Sequence, residues 1–534
     1  MCQIMSETDQ KPNNHHGHFS VTTAIDYPNG APHIGHSLEK VTADAVARYH
    51  VLRGDQVAFV MGNDENSQHV VVAAQKAGET PEAWTDQMDV AFRRAWDALD
   101  VQPTNWVRTT EARHIRAAQE LYRRVVANSD IYQAAYSGYY CPNCNNFYTE
   151  EDLISGRCPQ HPSISPEYLE EENYFFRLSA YADRLRDLIT GNEDFIVPNH
   201  RRAEVLGWID QGLRDFSVSR TRRQDGIAWG VPVPGDDSQV MYVWFDALTT
   251  YLTGLGFPDD MERFASYWPI NAHVIGKDIT RHHCLYWPAM LISAGLPTPQ
   301  QVAVHGFLSL NGRKISKTDG NVIDPVEVVE EFGADAVRYT LLRDVSFASD
   351  GDFSRTHVAR RYTDDLANDL GNLLNRVVAM VGRYRSGIVP AASESGELEA
   401  ELVRVAELAK ATVEQQLDAW ATDRALEGIW TLVRRTNQYL EERQPWKIAK
   451  LPERQEDLDT TLAFAAESAR VISILTSPFI PGAAAKIAGQ LGLPPARPGD
   501  WASAAFWQGP AVGQLNPAGP LFPRLEEPTG GVSP

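Results

Sequence analysis

Pro32-His33-Ile34-Gly35-His36 is answered, 278 residues after His36, by Lys314-Ile315-Ser316-Lys317-Thr318, and these two stretches decide how the chain folds. The first follows an apolar, β-branched run, Phe19-Ser20-Val21-Thr22-Thr23-Ala24-Ile25. It crosses a turn rich in Pro, Asn and Gly and enters a helical pattern from about Leu38 to Leu52. This predicts a strand, a turn and a helix N-terminus. Such an N-terminus carries unpaired N–H groups and partial positive charge, which attract polyphosphate, and Gly35 lets a nucleotide approach the backbone. His33 and His36 add donors to phosphate oxygens. The second stretch lies between Asn311-Gly312-Arg313 and Asp319-Gly320-Asn321. That Gly-rich setting suits a clamp whose Lys314 and Lys317 ammonium groups neutralise charge developing on pyrophosphate. Alone, the first stretch is equally a helix cap with a surface histidine, and the second an ordinary solvated loop. Their order and separation predict two halves of one ATP site.

From Phe19 to Ile131, strand-like runs such as Gln56-Val-Ala-Phe-Val-Met61 alternate with helical ones, as a parallel α/β half-domain requires. The same pattern resumes near Val240 and ends a strand at Val302-Ala-Val-His-Gly-Phe307, just before the lysine segment. Ligands of doubly wound sheets bind at that carboxyl edge. After about 360, apolar residues recur at helical spacing (Leu366, Leu370, Leu373, Leu374, then Leu402 to Leu440), which predicts a helix bundle. The expected fold is α/β, a doubly wound parallel (Rossmann-like) sheet interrupted by an insertion and followed by an all-α bundle. The expected divisions are a tail 1–18, a first catalytic half 19–131, an insertion 132–239, a second half 240–310, a lysine-loop region 311–360, the bundle 361–485 and an extension 486–534. The extension is Pro- and Gly-rich and is expected to be a loosely ordered tail, with Leu521 to Leu525 an edge strand at best because Pro523 interrupts it.

With 534 residues and 43% hydrophobic content, the chain can bury several cores. No apolar run reaches the roughly 18 residues of a membrane span, and Met1 to His18 is too polar for a signal peptide. A cytoplasmic protein without a membrane partner is expected. The five cysteines do not suggest a disulfide framework: Cys2 falls in the tail and Cys284 in an apolar helical context. The others form Cys141-Pro-Asn-Cys144 and Cys158-Pro-Gln-His161, with thirteen residues between the pairs. Each pair makes a tight turn, and four such ligands close a tetrahedron with no open position. Structural zinc on Cys141, Cys144, Cys158 and His161 is therefore expected, holding a polar stretch that has little core of its own.

A net charge of −21 opposes a nucleic-acid partner, yet residues 196–223 and 355–385 each hold six Arg against three acids. Such stripes are either solvated faces or basic tracks on an acidic body. Within the second, Asn372 and Arg376 stand four apart on one helix face, and Trp446 follows Pro445 at the end of another helix. Trp446 is either a packed helix-end aromatic or a stacking platform for unpaired bases, with Asn and Arg as donors to base edges.

The pair of ATP signatures resembles that of class I aminoacyl-tRNA synthetases. The surrounding Tyr27-Pro-Asn-Gly-Ala-Pro-His-Ile-Gly-His36, Tyr242-Val-Trp-Phe-Asp-Ala-Leu248, Ile275-Gly-Lys-Asp-Ile279, Val304-His-Gly-Phe307 and Gln444-Pro-Trp446 resemble the methionyl-tRNA synthetase family, over roughly residues 19 to 485. The resemblance implies ATP, L-methionine and tRNA(Met) as partners, Mg²⁺ arriving with ATP, and His33, His36, Lys314 and Lys317 as the catalytic groups. It implies an ATP site of His33, Gly35, His36, Gly276, Asp278, His305, Gly306, Lys314 and Lys317. For the amino acid it implies Ala24, Ile25, Tyr27, Trp244, Ala247, Tyr251, Ile279 and His283 around the thioether, with Asp64 facing the ammonium. It also favours anticodon contact by Asn372, Arg376, Pro445 and Trp446. The zinc knuckle occurs in the insertion of some members. No appended dimerisation barrel of the kind some relatives carry is evident, so a monomer is expected.

Four departures stand out. Asp26 occupies a place where Pro or Tyr is common, Asn66-Ser67 follows Asp64-Glu65 where His-Gly is common, and Ile315 and Thr318 replace Met and a second Ser. The lysine-segment changes keep both lysines. Asp26 and Asn66 fall beside the expected substrate and keep open a rival, a paralogue activating a different or modified amino acid in specialised metabolism or drug resistance. A nucleotidyltransferase outside tRNA charging would need neither the zinc-bearing insertion nor the bundle, and a non-catalytic RNA-binding protein would need neither set of ATP motifs.

Overall fold

The computed structural model describes residues 17–141, 146–159, 162–222, 229–315, 322–393, 395–506 and 513–525. Cys144, His161 and Lys317 lie outside the described residues, as does the side chain of Lys314. Strands β1 (His18–Thr23), β2 (Gln56–Asn63) and β3 (Asn105–Arg108) begin a six-stranded sheet. Its order is β3, β2, β1, Ala272–Gly276, Gln301–His305 and Ile196–Val197, parallel throughout. Side chains alternate across it as the period of two requires. Ala58 and Val60 join the core that holds Val107, Phe245 and Ile275, whereas Phe59 and Met61 join the core on the opposite face. β1 bonds to β2 on one side and to Ala272–Gly276 on the other, which makes their shared carboxyl edge the topological switch point.

The helix α1 (Ile34–Arg53) begins four residues before the expected Leu38 because His33 caps it. Its side chain accepts from Gly35 N at 3.2 Å, while His33 N donates to His36 Nδ1 at 3.2 Å. Histidine thus performs the reciprocal exchange usually made by Ser or Thr with Glu. At the other end, Gly54 adopts φ 97° and closes the helix.

Between the sheet halves, Ile131–Cys141 and Glu167–Phe176 pair antiparallel from Ile131↔Phe176 to Tyr140↔Glu167. The span 132–239, expected as one insertion, also returns to the main sheet: Ile196 and Val197 pair with Val302 and Ala303 at its edge. Phe195 and Ile196 are fully buried there, so apolar burial draws this short strand back. Beyond Arg355, helices run from Arg355–Arg361 to Pro481–Gln490. Residues 513–525 are seated rather than loose. Leu515 and Leu521 are buried, Leu515 N donates to Gly387 O at 2.8 Å, and Tyr362 Oη donates to Pro523 O at 2.6 Å. Leu521 to Leu525 forms no strand.

One apolar core runs from Phe19 through α1 and Ala334–Asp344 into the C-terminal helices and Leu521. Arg338, fully buried, is its polar joint. Its guanidinium reaches Asp44 Oδ2 of α1 at 2.7 Å, the carbonyls of Leu99 and Asp100, and those of Pro478 and Phe479. All five contacts come from segments far apart in sequence, so a planar fork of donors fixes α1 against the bundle.

Candidate active site

At the switch point the sheet opens into a cleft of about 1420 Å³. The two signature segments meet at its edge. Ile34 N donates to Ile323 O at 2.9 Å, and a Cβ placed on Gly35 would lie 3.1 Å from Ile315 Cδ1. Both flanks of the lysine segment are therefore held against the first turn of α1. Lys314 ends a hairpin, Leu308–Leu310 with Arg313–Lys314, whose turn residues Asn311 and Gly312 have φ 51° and 71°. Two positive φ angles are what a two-residue hairpin turn demands. Asp352 Oδ1 secures that turn by accepting from Gly312 N at 2.7 Å and Ser309 Oγ at 2.6 Å.

His33 and His36 line the cleft and stack at 3.9 Å. Each Nδ1 accepts a backbone N–H, so a neutral ring carries its hydrogen on Nε2. The cap and the phosphate-donor readings are thus compatible: the bonds that start the helix fix the tautomer.

Every residue expected around the amino acid lines this same cleft: Ala24, Ile25 and Tyr27 after β1, Asp64 after β2, Trp244, Ala247 and Tyr251 on helix Val243–Thr253, and Ile279 and His283 beyond Gly276. His283 Nδ1 lies 3.1 Å from Ile279 O, and a carbonyl only accepts, so Nδ1 carries the hydrogen and Nε2 accepts from Tyr251 Oη at 2.7 Å. Burial pushes His283 down to about 4, in keeping with that neutral tautomer. Trp244 stacks on His282 at 3.7 Å. Asp64 is buried, and its Oδ1 has no hydrogen-bond partner among the described residues. Burial, reinforced by Asp246 and Glu65, raises its carboxyl well above the usual range. A buried carboxyl oxygen lacking a donor, inside an aromatic wall, is suited to a cationic group from outside the chain.

Gly276, Asp278 and His305 line the same cleft. Gly306 is not among the described lining residues, and its missing side chain has another cause. A Cβ there would meet Ser349 O at 2.1 Å, so the backbone of 349–350 closes directly behind it. The two departures beside Ile25 and Asp64 are also engaged within the protein. Asp26 accepts from Trp96 Nε1 at 3.0 Å and lies 3.2 Å from Lys40 Nζ. Asn66 Nδ2 donates to Thr109 O at 2.9 Å and Asp246 Oδ2 at 2.7 Å, and His114 Nε2 lies 2.5 Å from the other oxygen of Asp246. Ser67 caps helix Gln68–Ala77.

Glu39 and Lys40, three and four residues past His36, line the cleft too and went unnoticed in the sequence. Helical spacing from His36 was the available signal, since positions three and four apart share a face. In the insertion, Cys141 and Cys158 are both buried with Tyr148 in a cluster of their own, against which, among the described residues, Tyr139, Leu153 and Ile164 are partly buried. So small an apolar cluster with two soft donors fits a metal-closed knuckle. Among the described residues no three such donors converge, Cys144 and His161 lying outside them. At the bundle, Arg376 stands over the Trp446 ring at 5.8 Å and donates to Glu441 Oε1 at 2.6 Å. Asn372 is exposed one turn earlier on the same helix, Asn372–Arg385, and Pro445 is buried beside half-buried Trp446. No described helix is long and apolar enough to cross a membrane.

Known proteins match this arrangement along nearly the whole chain. The family described as tRNA synthetases class I (M) matches residues 19–165 and 161–378, and the anticodon binding domain of methionyl tRNA ligase matches 389–524. A methionine–tRNA ligase of Brucella suis is 43% identical over 89% of this chain and 92% of its own length. One from Clostridium perfringens is 40% identical over 95% and 78%. The structure of Mycobacterium tuberculosis methionyl-tRNA synthetase in complex with methionyl-adenylate is similar with a TM-score of 0.90 and 41% identity, over 95% of this chain and 100% of that one. A shared cleft, a shared helical anticodon unit and coverage of this extent place the chain in the methionine–tRNA ligase family of class I synthetases.

Proposed function

We propose that this cleft divides into an amino-acid side and a nucleotide side, and that methionine is activated where they meet. As a methionine–tRNA ligase, the chain joins methionine to ATP and then to tRNA. Asp64 takes the substrate ammonium, and Ala24, Ile25, Tyr27, Trp244, Ala247, Tyr251, Ile279 and His283 surround the thioether, whose polarisable sulfur is favoured by aromatic edges. Gly276, Asp278 and His305 face the nucleoside, while Gly306 serves by letting the chain close behind His305. His33, Gly35, His36, Lys314 and Lys317 take the triphosphate. Bound with ATP, Mg²⁺ supplies further neutralisation of phosphate charge.

The methionine carboxylate attacks the α-phosphorus in line, the bond to the bridging oxygen breaks, and pyrophosphate leaves with the electron pair. The 3′-terminal ribose hydroxyl of tRNA then attacks the adenylate carbonyl, its proton departs, and AMP is released. The chain's part is positioning and electrostatics: donors on Nε2 of two histidines, a helix N-terminus and two ammonium groups are set before charge develops. The observation that carries this reading is the contact of both lysine-segment flanks with the first turn of α1, beside an Asp64 oxygen awaiting a donor.

We assign structural zinc to Cys141, Cys144, Cys158 and His161. Asn372, Arg376, Pro445 and Trp446 are assigned to anticodon contact: Trp446 offers a ring and Arg376 an ion pair that base edges can displace. A cytoplasmic monomer completes the reading, and sedimentation at the mass of two chains would contradict it.

The decisive assay is ATP–pyrophosphate exchange screened over all amino acids: methionine supports exchange, and a different winner overturns the pocket assignment in favour of the paralogue reading. Lys317→Ala removes a donor of about 2–4 kcal/mol in the transition state and lowers methionine-dependent exchange by about a hundredfold or more, whereas exchange at the parental rate removes the clamp. Trp446→Ala leaves exchange intact and weakens tRNA charging by about 1–3 kcal/mol in kcat/KM, the scale of a stacked base; equal loss in both assays contradicts anticodon contact. Cys158→Ser abolishes metal retention through gel filtration, read by plasma emission, and exposes the 131–176 hairpin to protease. Undiminished zinc in that variant moves the site elsewhere.

A further inference from the structure

Along the lining of the cleft, four ionisable side chains form an alternating row: Asp26, Lys40, Glu39 and His305. Lys40 Nζ donates to Glu39 Oε1 at 2.7 Å and to the Ala24 carbonyl at 2.5 Å, and lies 3.2 Å from Asp26 Oδ1. Glu39 Oε2 in turn stands 3.2 Å from His305 Nε2. The other nitrogen, His305 Nδ1, is 2.7 Å from the Gly306 carbonyl and therefore carries a hydrogen, so the Glu39 contact is a hydrogen bond when Nε2 carries one as well. None of the four is more than 7% exposed.

The row crosses the cleft from one substrate side to the other. All of these residues line one cleft; in the division proposed above, Ala24 and Ile25 belong to the amino-acid side and His305, with Glu39 against it, to the nucleotide side. Lys40 is bonded to both, from the helix that also carries His33 and His36. Isolated burial would strip an ammonium of its proton, but Asp26 and Glu39 outweigh burial and raise the Lys40 pKa. The same ammonium, with His305, lowers that of Glu39 against its own burial. For Asp26 burial dominates and lifts its carboxyl to about 6.

We propose that Lys40, braced by Asp26, is a positioning residue that fixes the spacing of the two substrate half-sites, so that each substrate's binding favours the other's. The proposal rests on the division of the cleft into amino-acid and nucleotide sides given above. A shift of the Ala24 carbonyl on amino-acid binding is passed by direct contact through the Lys40 ammonium to Glu39 and from Glu39 to His305. A stabilising role alone would not require a lysine, because a buried ion pair is commonly replaceable by neutral side chains without loss of folding. The coupling is therefore separable from the fold.

The test uses the full-length enzyme and the double variant D26N/K40M, which removes both charges together and keeps an acceptor for Trp96. Thermal melting reports folding, and pyrophosphate exchange yields the KM for ATP at low and at saturating methionine. Parental enzyme shows an ATP KM that falls as methionine saturates. The double variant, in which Glu39 keeps only His305 as a partner, melts below the parental midpoint but is folded at the assay temperature and loses that dependence, with each KM raised about tenfold, within the usual range of coupling between sites. Lys40→Arg, which keeps the charge and alters its reach, also weakens the coupling. Parental coupling in the folded double variant, or in Lys40→Arg should the double variant not fold, overturns the proposal, as does parental enzyme whose ATP KM ignores methionine. Absence of methionine-dependent exchange from parental enzyme refutes the site assignment itself, a distinct failure.

Discussion

The first turn of α1 is the constraint on which the rest depends. A helix N-terminus leaves donors that no intrahelical carbonyl can satisfy. Here Gly35 N is taken by His33 and Ile34 N by Ile323 O, a residue that arrives only after the lysine segment. The helix start is complete only when the second motif is in place, and Gly35 leaves room both for the His33 cap and for Ile315, since a Cβ there would lie 2.9 Å from His33 Nδ1 and 3.1 Å from Ile315 Cδ1. One hydrogen bond and one missing methyl group therefore join two sequences separated by most of the catalytic unit. The positive end of the helix dipole is left at the cleft, which His33, Gly35 and His36 line, and that is the ground for proposing the triphosphate there.

Charge is distributed around that point with a consistent logic. The side proposed for the amino acid is acidic: Asp64, Asp246 and Glu65 crowd together, and among the described residues Asp246 takes donors from Asn66 and His114 and Glu65 one from Arg108, while Asp64 Oδ1 takes none. Two compensated acids beside one uncompensated acid make a site that lacks a single positive charge. Elsewhere the balance reverses: residues 196–223 and 355–385 each hold six Arg against three acids. The chain's net charge of −21 is thus no obstacle to tRNA, because binding is decided by the local balance rather than the sum. Arg338 extends the same economy into the architecture, engaging Asp44 and four carbonyls from three segments so that α1 and the bundle move as one.

Periodicity made the parallel sheet, the cleft at its carboxyl edge and the C-terminal helices legible, since a β-branched run and a helical stripe each satisfy local rules. The walls of the cleft were legible only through family resemblance: nothing in the spacing of Trp244, Tyr251 and His283 distinguishes a pocket from a core. What escaped was set by tertiary contact. The return of Ile196–Val197 to the sheet is two residues long, too short for any pattern. The 513–525 segment looks like a tail because Pro and Gly dominate it, yet Leu515 and Leu521 find a waiting core. Gly306, named through the resemblance as part of the ATP site, also has to be glycine because the chain closes on Ser349 there, a close approach that sequence cannot assign to a partner.

Asp26 and Asn66 show why nearness along the chain misleads. Asp26 sits between two residues of the substrate wall, and its backbone is extended, bridged to Asn63. Neighbouring side chains on extended backbone point to opposite sides, so a carboxylate flanked by Ile25 and Tyr27 is directed beneath them, where Trp96 and Lys40 hold it. Asn66 follows the same rule from another direction, reaching Thr109 and Asp246 behind Asp64. Asn66 therefore alters the support of the pocket, and Asp26, although it lines the cleft, commits its carboxylate to Trp96 and Lys40. A paralogue with a different amino-acid preference would need its altered residues on the wall itself, and there the aromatic and aliphatic set expected for a thioether is intact.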